Sequence, residues 1–142
     1  MKESLQVGIE HTLRFRVSPA QIVPALYPEA PEFQVMPAVF ATGFMVGLIE
    51  WACVQAISPH LDGPNEQTVG THINVSHEAA TPPGMEVAVK VRLTEVQGRH
   101  LEFVVEAYDG VDVISRGTHE RFIIDVERFT QKVQRKQSAV GK

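Results

Sequence analysis

The stretch Phe40-Ala41-Thr42-Gly43-Phe44-Met45-Val46-Gly47-Leu48-Ile49-Glu50-Trp51-Ala52-Cys53 decides the fold, because one charge, Glu50, interrupts an otherwise apolar helical pattern. From Ala38 to Ile57 no other residue is charged. The pattern predicts a helix from Ala38 or Val39 to about Ile57, stopped by Ser58-Pro59. Its apolar residues lie nearly all round the axis, and a helix of that kind is buried. Gly43 and Gly47 weaken a helix, so each is expected to admit a close backbone or ligand. An apolar run of about 20 residues can span a bilayer. Against that stand the interior Glu50, the lack of a flanking Lys/Arg cluster and the amphipathic strands that follow.

Outward from this helix the pattern changes period. His11 to Val17 alternates, with Leu13, Phe15 and Val17 on one face, and reads as a strand. Residues 18–37 hold Pro19, Pro24, Pro28, Pro31 and Pro37, which forbid a continuous helix or central strand. With Tyr27 and Phe33 this stretch can pack as a lid. After a polar loop, Leu61 to Gln67, four strands follow: Thr68 to Ser76 or His77, Met85 to Val96, His100 to Tyr108, and Val111 to about Ile124. In the second of these Val87, Val89, Val91 and Leu93 oppose Ala88, Lys90, Arg92 and Thr94. Asp109-Gly110 is a hairpin signal. Residues 126–142 form a polar, basic tail with at most a short helix.

This order fits one α+β domain over residues 1–142, a curved antiparallel sheet wrapped around a long central helix, which is the hotdog fold. One small sheet cannot cover an all-apolar helix, and its outer strands leave open edges. Both features predict a homodimer, with pairing of dimers into tetramers open.

The chain has 142 residues, 44% hydrophobic and 21% charged, a globular composition with room for a real core. Its net charge of −4 gives no general field for nucleic acid, so an anionic ligand needs local Lys or Arg. A lone Cys53 and an N-terminus without an apolar signal core predict a cytoplasmic protein without membrane attachment.

Candidate chemistry starts at Glu50, because a carboxylate in a buried helix must be paired, hydrogen-bonded or protonated. It is either a structural ion pair (or a group reaching solvent) or a working group. Thr42 lies roughly 80° round and about 12 Å along the axis from it; its hydroxyl can equally bond back to the preceding turn. Counting back by two, His77 shares a strand face with Val75, Ile73 and Thr71, so it points toward the helix if no bulge intervenes. A buried histidine that merely satisfies a hydrogen bond is the competing reading. His11, His60 and His100 sit at element ends and read as solvated. Arg121 falls on an apolar face by alternation from Ile123 and suits an ion pair or a substrate anchor alike. Neither His72 with His77 nor Cys53 has metal-ligand spacing, so no metal is expected. No phosphate-binding glycine loop and no Gly-x-Ser-x-Gly elbow occurs.

The helix segment, together with Leu26-Tyr27-Pro28-Glu29, Pro31-Glu32-Phe33, Gly70-Thr71, Val75-Ser76-His77, Ala79-Ala80-Thr81-Pro82-Pro83-Gly84 and Gly117-Thr118-His119-Glu120-Arg121, resembles the fluoroacetyl-CoA thioesterase family of hotdog-fold enzymes. The likeness covers nearly the whole chain. It implies a Thr–Glu–His catalytic set on Thr42, Glu50 and His77, and substrate contacts near Gly70 and Arg121. It also implies an aromatic lid to which Phe33 belongs. Met36 stands where the fluoroacetate-specific member has a second gating phenylalanine, and methionine is less shape-specific.

The expected activity is hydrolysis of a short acyl-CoA thioester, with fluoroacetyl-CoA-like groups included and no cofactor beyond the coenzyme A of the substrate. Glu50 would attack the carbonyl or activate water, and His77 would act as acid or base. Thr42 would bond Glu50 or the acyl group, and backbone N–H groups at the helix start or Gly70 would hold the oxyanion. Two rivals differ in class. A hotdog enoyl-thioester hydratase would carry a Gly-Asp-x-Asn-Pro run, which is absent. A non-catalytic acyl-CoA sensor or carrier would bind tightly without turnover.

Overall fold

In the computed structural model, which describes residues 1–141, strand β1 (Glu10–Arg16) leads through two single-turn helices, α1 (Val23–Leu26) and α2 (Pro31–Gln34), into the long helix α3 (Thr42–Ile57). Strands β2 (Glu66–Val75), β3 (Glu86–Gln97), β4 (His100–Tyr108) and β5 (Val113–Asp125) follow, then helix α4 (Val126–Val140). The five strands form one sheet in the order β1-β3-β4-β5-β2, antiparallel throughout. The expected α+β architecture, an antiparallel sheet around a central helix, is the one observed.

The alternation read in β3 holds: Val87, Val89, Val91 and Leu93 are buried. Leu101, Phe103, Val105 and Ala107 of β4 meet them on the concave face, where Leu48, Ile49, Ala52, Cys53 and Ala56 of α3 close the core. Each large side chain so buried contributes about 1.5–3 kcal/mol of apolar transfer. Gly98, at φ +61°, supplies the left-handed step of the tight turn between β3 and β4.

Of three expectations, two need correction and one holds. First, α3 begins at Thr42, not Ala38 or Val39. Phe40 N–H donates to the Thr81 carbonyl (2.8 Å), Ala41 N–H to Gln21 (3.0 Å), and Val39 accepts from Val23 (2.9 Å), so this stretch is an extended strap. An apolar pattern is silent on that choice, since Val39 and Phe40 suit either conformation. Second, as expected of one small sheet, α3 is not covered all round: Thr42, Gly43, Gly47 and Trp51 (48%) stay exposed along one stripe. Gly47 opens on an apolar cavity of about 240 Å³ bordered by Phe15, Phe44 and Trp51, whereas at Gly43 the Leu26 side chain comes close. Third, the tail is a 15-residue helix, capped where Asp125 Oδ1 accepts the Arg128 N–H (3.1 Å).

The Asp109-Gly110 turn is longer than a two-residue hairpin. Asp109 is buried, and its carboxylate accepts the Val111 and Asp112 N–H groups and the Thr81 hydroxyl (2.9 Å). In the proline-rich segment the Gln34 amide donates to the carbonyls of Pro24 (2.9 Å) and Tyr27 (3.2 Å), and the Tyr27 and Phe33 rings lie 6.1 Å apart.

Candidate active site

Two polar groups flank the outward stripe of α3. At its first turn the Thr42 hydroxyl and His77 Nδ1 are 2.7 Å apart. His77 lies beyond the end of β2, which stops at Val75, and a bulge between Gly70 and His72 breaks the simple counting by two. It reaches Thr42 from the strap after the strand, not from the strand face. Its Nε2 is enclosed and has no hydrogen-bond partner among the described residues. Burial holds the imidazole below the ordinary histidine range, so the neutral form prevails. If Nδ1–H donates to Thr42, Nε2 is a free base; if Thr42 donates, Nε2 carries a proton to give. An open depression of about 270 Å³ beside His77 is bordered by Val39, Ala79 and Ala80.

The second group centres on Glu50. Its Oε1 accepts from Arg121 Nη1 at 3.0 Å; the Glu50 side chain is 41% exposed and that of Arg121 only 7%. Arg121 Nε donates to Thr68 Oγ1 (2.8 Å) and Nη2 to the Thr68 carbonyl (3.0 Å), while His119 Nε2 lies 3.1 Å from Nη1. Of the open readings for these two residues, the ion pair is therefore real, and Glu50 also keeps an exposed side. Thr42 bonds His77 and not Glu50, and no hydrogen bond joins Glu50 to His77 among the described residues. The pairs are nevertheless on one helix, and side chains lean toward the helix N-terminus, which carries Glu50 back toward Thr42.

Gly70 packs against the Glu50 group: a Cβ there would sit 2.6 Å from Glu50 Oε1 and 3.3 Å from Arg121 Nη1. Both are side-chain ends, so Gly70→Ala should fold but push the carboxylate off Arg121. We expect kcat to fall about tenfold or more with little change in Tm; full activity in the variant would contradict this packing. Phe33 is half-buried and Met36 is 44% exposed, and both lie within the proline-rich segment. Cys53 is buried, and desolvation pushes its thiol up to about 12, which rules it out as a thiolate nucleophile.

The sequence reading passed over His119. It is 2% exposed on the concave face of β5, with its ring stacked on Phe103. The alternation that placed Arg121 inward places His119 inward too, so the signal was present. His11 and His100, read as solvated, bond Gln55 and Glu120 at 2.7 Å each.

A buried helix in a curled antiparallel sheet, with a carboxylate and an imidazole along one stripe, defines a hotdog-fold thioesterase. The comparisons with known proteins agree. A hot-dog-like protein from Thermanaerovibrio acidaminovorans, 18% identical, shares the fold with a TM-score of 0.76 over 92% of this chain and 91% of its own. The family described as FlK, fluoroacetyl-CoA-specific thioesterase, matches residues 27–127, and the chain belongs to it. The fluoroacetyl-CoA thioesterase of Streptantibioticus cattleyicolor is 53% identical over 98% of this chain and 99% of its own length. A solved structure of the fluoroacetyl-CoA thioesterase FlK superposes with a TM-score of 0.91, covering 94% of this chain and 98% of that one. A FlK mutant in complex with fluoroacetate and CoA gives 0.85 at 54% identity, covering 88% and 99%.

Proposed function

We propose that this protein hydrolyses a short-chain acyl-CoA thioester to the free acid and coenzyme A, with Glu50, His77 and Thr42 as its catalytic residues. The observation that carries the reading is the Thr42–His77 pair at the start of the helix that also bears an ion-paired, half-exposed Glu50. Glu50 either attacks the thioester carbon, forming an anhydride that water then cleaves, or takes a proton from the water that attacks. In both routes the C–S bond breaks, and neutral His77 takes up a proton drawn from the attacking water and passes it to the departing thiolate, ending as it began. Thr42 sets the tautomer of His77. The N–H groups at the start of α3, and those where the ladder is interrupted beside Gly70, suit the oxyanion. These side chains supply acid, base and nucleophile, so no cofactor is called for beyond the coenzyme A of the substrate.

Phe33 and Met36 border the acyl end from the lid. A relative named for fluoroacetyl-CoA at 53% identity supports an acyl group of two carbons or so, and the exposed Met36 supports a looser gate than phenylalanine would make. We also infer a homodimer. Edge strand β2 exposes Gly70 to Asn74, and α3 exposes Trp51, surfaces that a second copy would cover. Among the described residues no helix is long and apolar enough to cross a membrane. We place the protein in the cytoplasm, since its lone Cys53 suits a reducing compartment, and its weak net charge offers no field for nucleic acid or an anionic membrane.

The deciding measurement is a panel of acetyl-, fluoroacetyl-, propionyl- and longer acyl-CoA thioesters with free-thiol detection. Turnover is expected to be greatest for the shortest acyl groups. Tight binding of acyl-CoA without release of thiol would make the protein a binding module instead.

A further inference from the structure

Within this proposed activity, the structure assigns a positioning role to His119: it aims Arg121, and through Arg121 it holds one oxygen of Glu50 so that the other is left to work. The hydrogen bonds dictate the direction. His119 Nδ1 lies 2.7 Å from the His72 carbonyl, which can only accept, so Nδ1 carries the proton. A neutral ring then leaves Nε2 bare, and it accepts from Arg121 Nη1 at 3.1 Å. The second hydrogen of the same Nη1 goes to Glu50 Oε1 at 3.0 Å. With Nε and Nη2 bound to Thr68, four of the five guanidinium N–H bonds are spoken for, which argues for Arg121 as a clamp on Glu50 and not as a free substrate anchor. Glu50 Oε2 has no hydrogen-bond partner among the described residues.

A protonated His119 would turn an N–H toward Arg121 and break the relay. The surroundings oppose that state. The ring is buried, which holds it below the ordinary histidine range, and Arg121 adds to this. The His72 carbonyl of β2 pulls the other way, as do Glu50 from α3 and Glu120 from β5, while β4 presents Phe103. The relay is therefore built to stay neutral, unlike an acid–base histidine that must cycle.

Two variants and one spectrum test this. His119→Phe keeps a flat ring and removes both bonds; kcat for the best acyl-CoA should fall roughly ten- to a hundredfold with KM within about threefold, since a misaimed group costs rate more than binding. His119→Gln offers a donor and an acceptor and should recover most of that loss. Nitrogen-15 histidine spectra of the wild-type protein should show His119 as the neutral Nδ1–H tautomer from pH 8 down to about pH 6. A His119→Phe enzyme within twofold of wild type overturns the proposal, as does an Nε2–H tautomer or a ring that protonates near pH 6.5. If His119→Phe fails to fold, the glutamine variant and the spectrum decide. Absence of turnover in the wild type would instead sink the thioesterase reading itself.

Discussion

Glu50→Gln is expected to lower kcat for acyl-CoA hydrolysis by roughly 10³-fold. The amide keeps the shape and can still accept from Arg121, so the loss isolates the carboxylate's charge and basicity. Arg121 is almost fully buried and loses its counter-ion in the variant, yet Glu50 is half-exposed. The cost in stability should accordingly stay near about 1 kcal/mol, well under that of breaking a fully buried pair. A thermal melt beside the kinetics separates the two effects. A Glu50→Gln enzyme with wild-type kcat would remove Glu50 from the mechanism. Wild type can divide the two routes in a single turnover in oxygen-18 water: label in the Glu50 carboxylate marks an anhydride opened at the Glu50 carbonyl, whereas activation of water labels only the released acid.

The largest structural effect is expected at Gly117. It pairs with Val75 across β2 and β5, and an added Cβ would meet the Asn74 carbonyl oxygen at 1.9 Å and the Val75 Cα at 2.8 Å. Both are backbone atoms that cannot swing aside, so Gly117→Ala must part the two strands. A loss of roughly 3 kcal/mol or more and a fall in Tm of about 10 °C are expected by calorimetry. Activity should fall with it, because the same ladder aligns Gly70 with Arg121 and ends two residues before His77. An unshifted melting temperature would show that the strands tolerate the methyl group.

The parts of this molecule that were legible in the sequence are those governed by period. Val87 to Leu93 alternate because one face of β3 meets the core, and the turn residues on either side, Gln97-Gly98-Arg99 and Asp109-Gly110, bound β4 at His100 to Tyr108. Glu50 stood out because a lone charge in an apolar helix needs a reason. What stayed hidden depended on tertiary partners. The start of α3 is set by hydrogen bonds from Phe40 and Ala41 to Thr81 and Gln21, residues remote in sequence. Parity could bring Arg121 inward but could not choose Glu50 over a ligand as its partner. Alternation aimed His77 at the helix, yet it is the strap beyond the strand that brings it to Thr42, and no periodicity describes a strap. The family resemblance supplied the grouping of Thr42, Glu50 and His77; physical reading of the chain supplied only the suspects.

The proline-rich cover over α3 has one further consequence. Prolines donate no backbone hydrogen bonds, so a segment with five of them is short of internal ties. Gln34 makes up the shortfall by tethering the carbonyls of Pro24 and Tyr27 from a single side chain. The entropy lost in ordering this cover is incurred when the chain folds, not each time a substrate arrives. Any opening for substrate should then hinge at the ends of the segment, with the block between Pro24 and Gln34 moving as a piece.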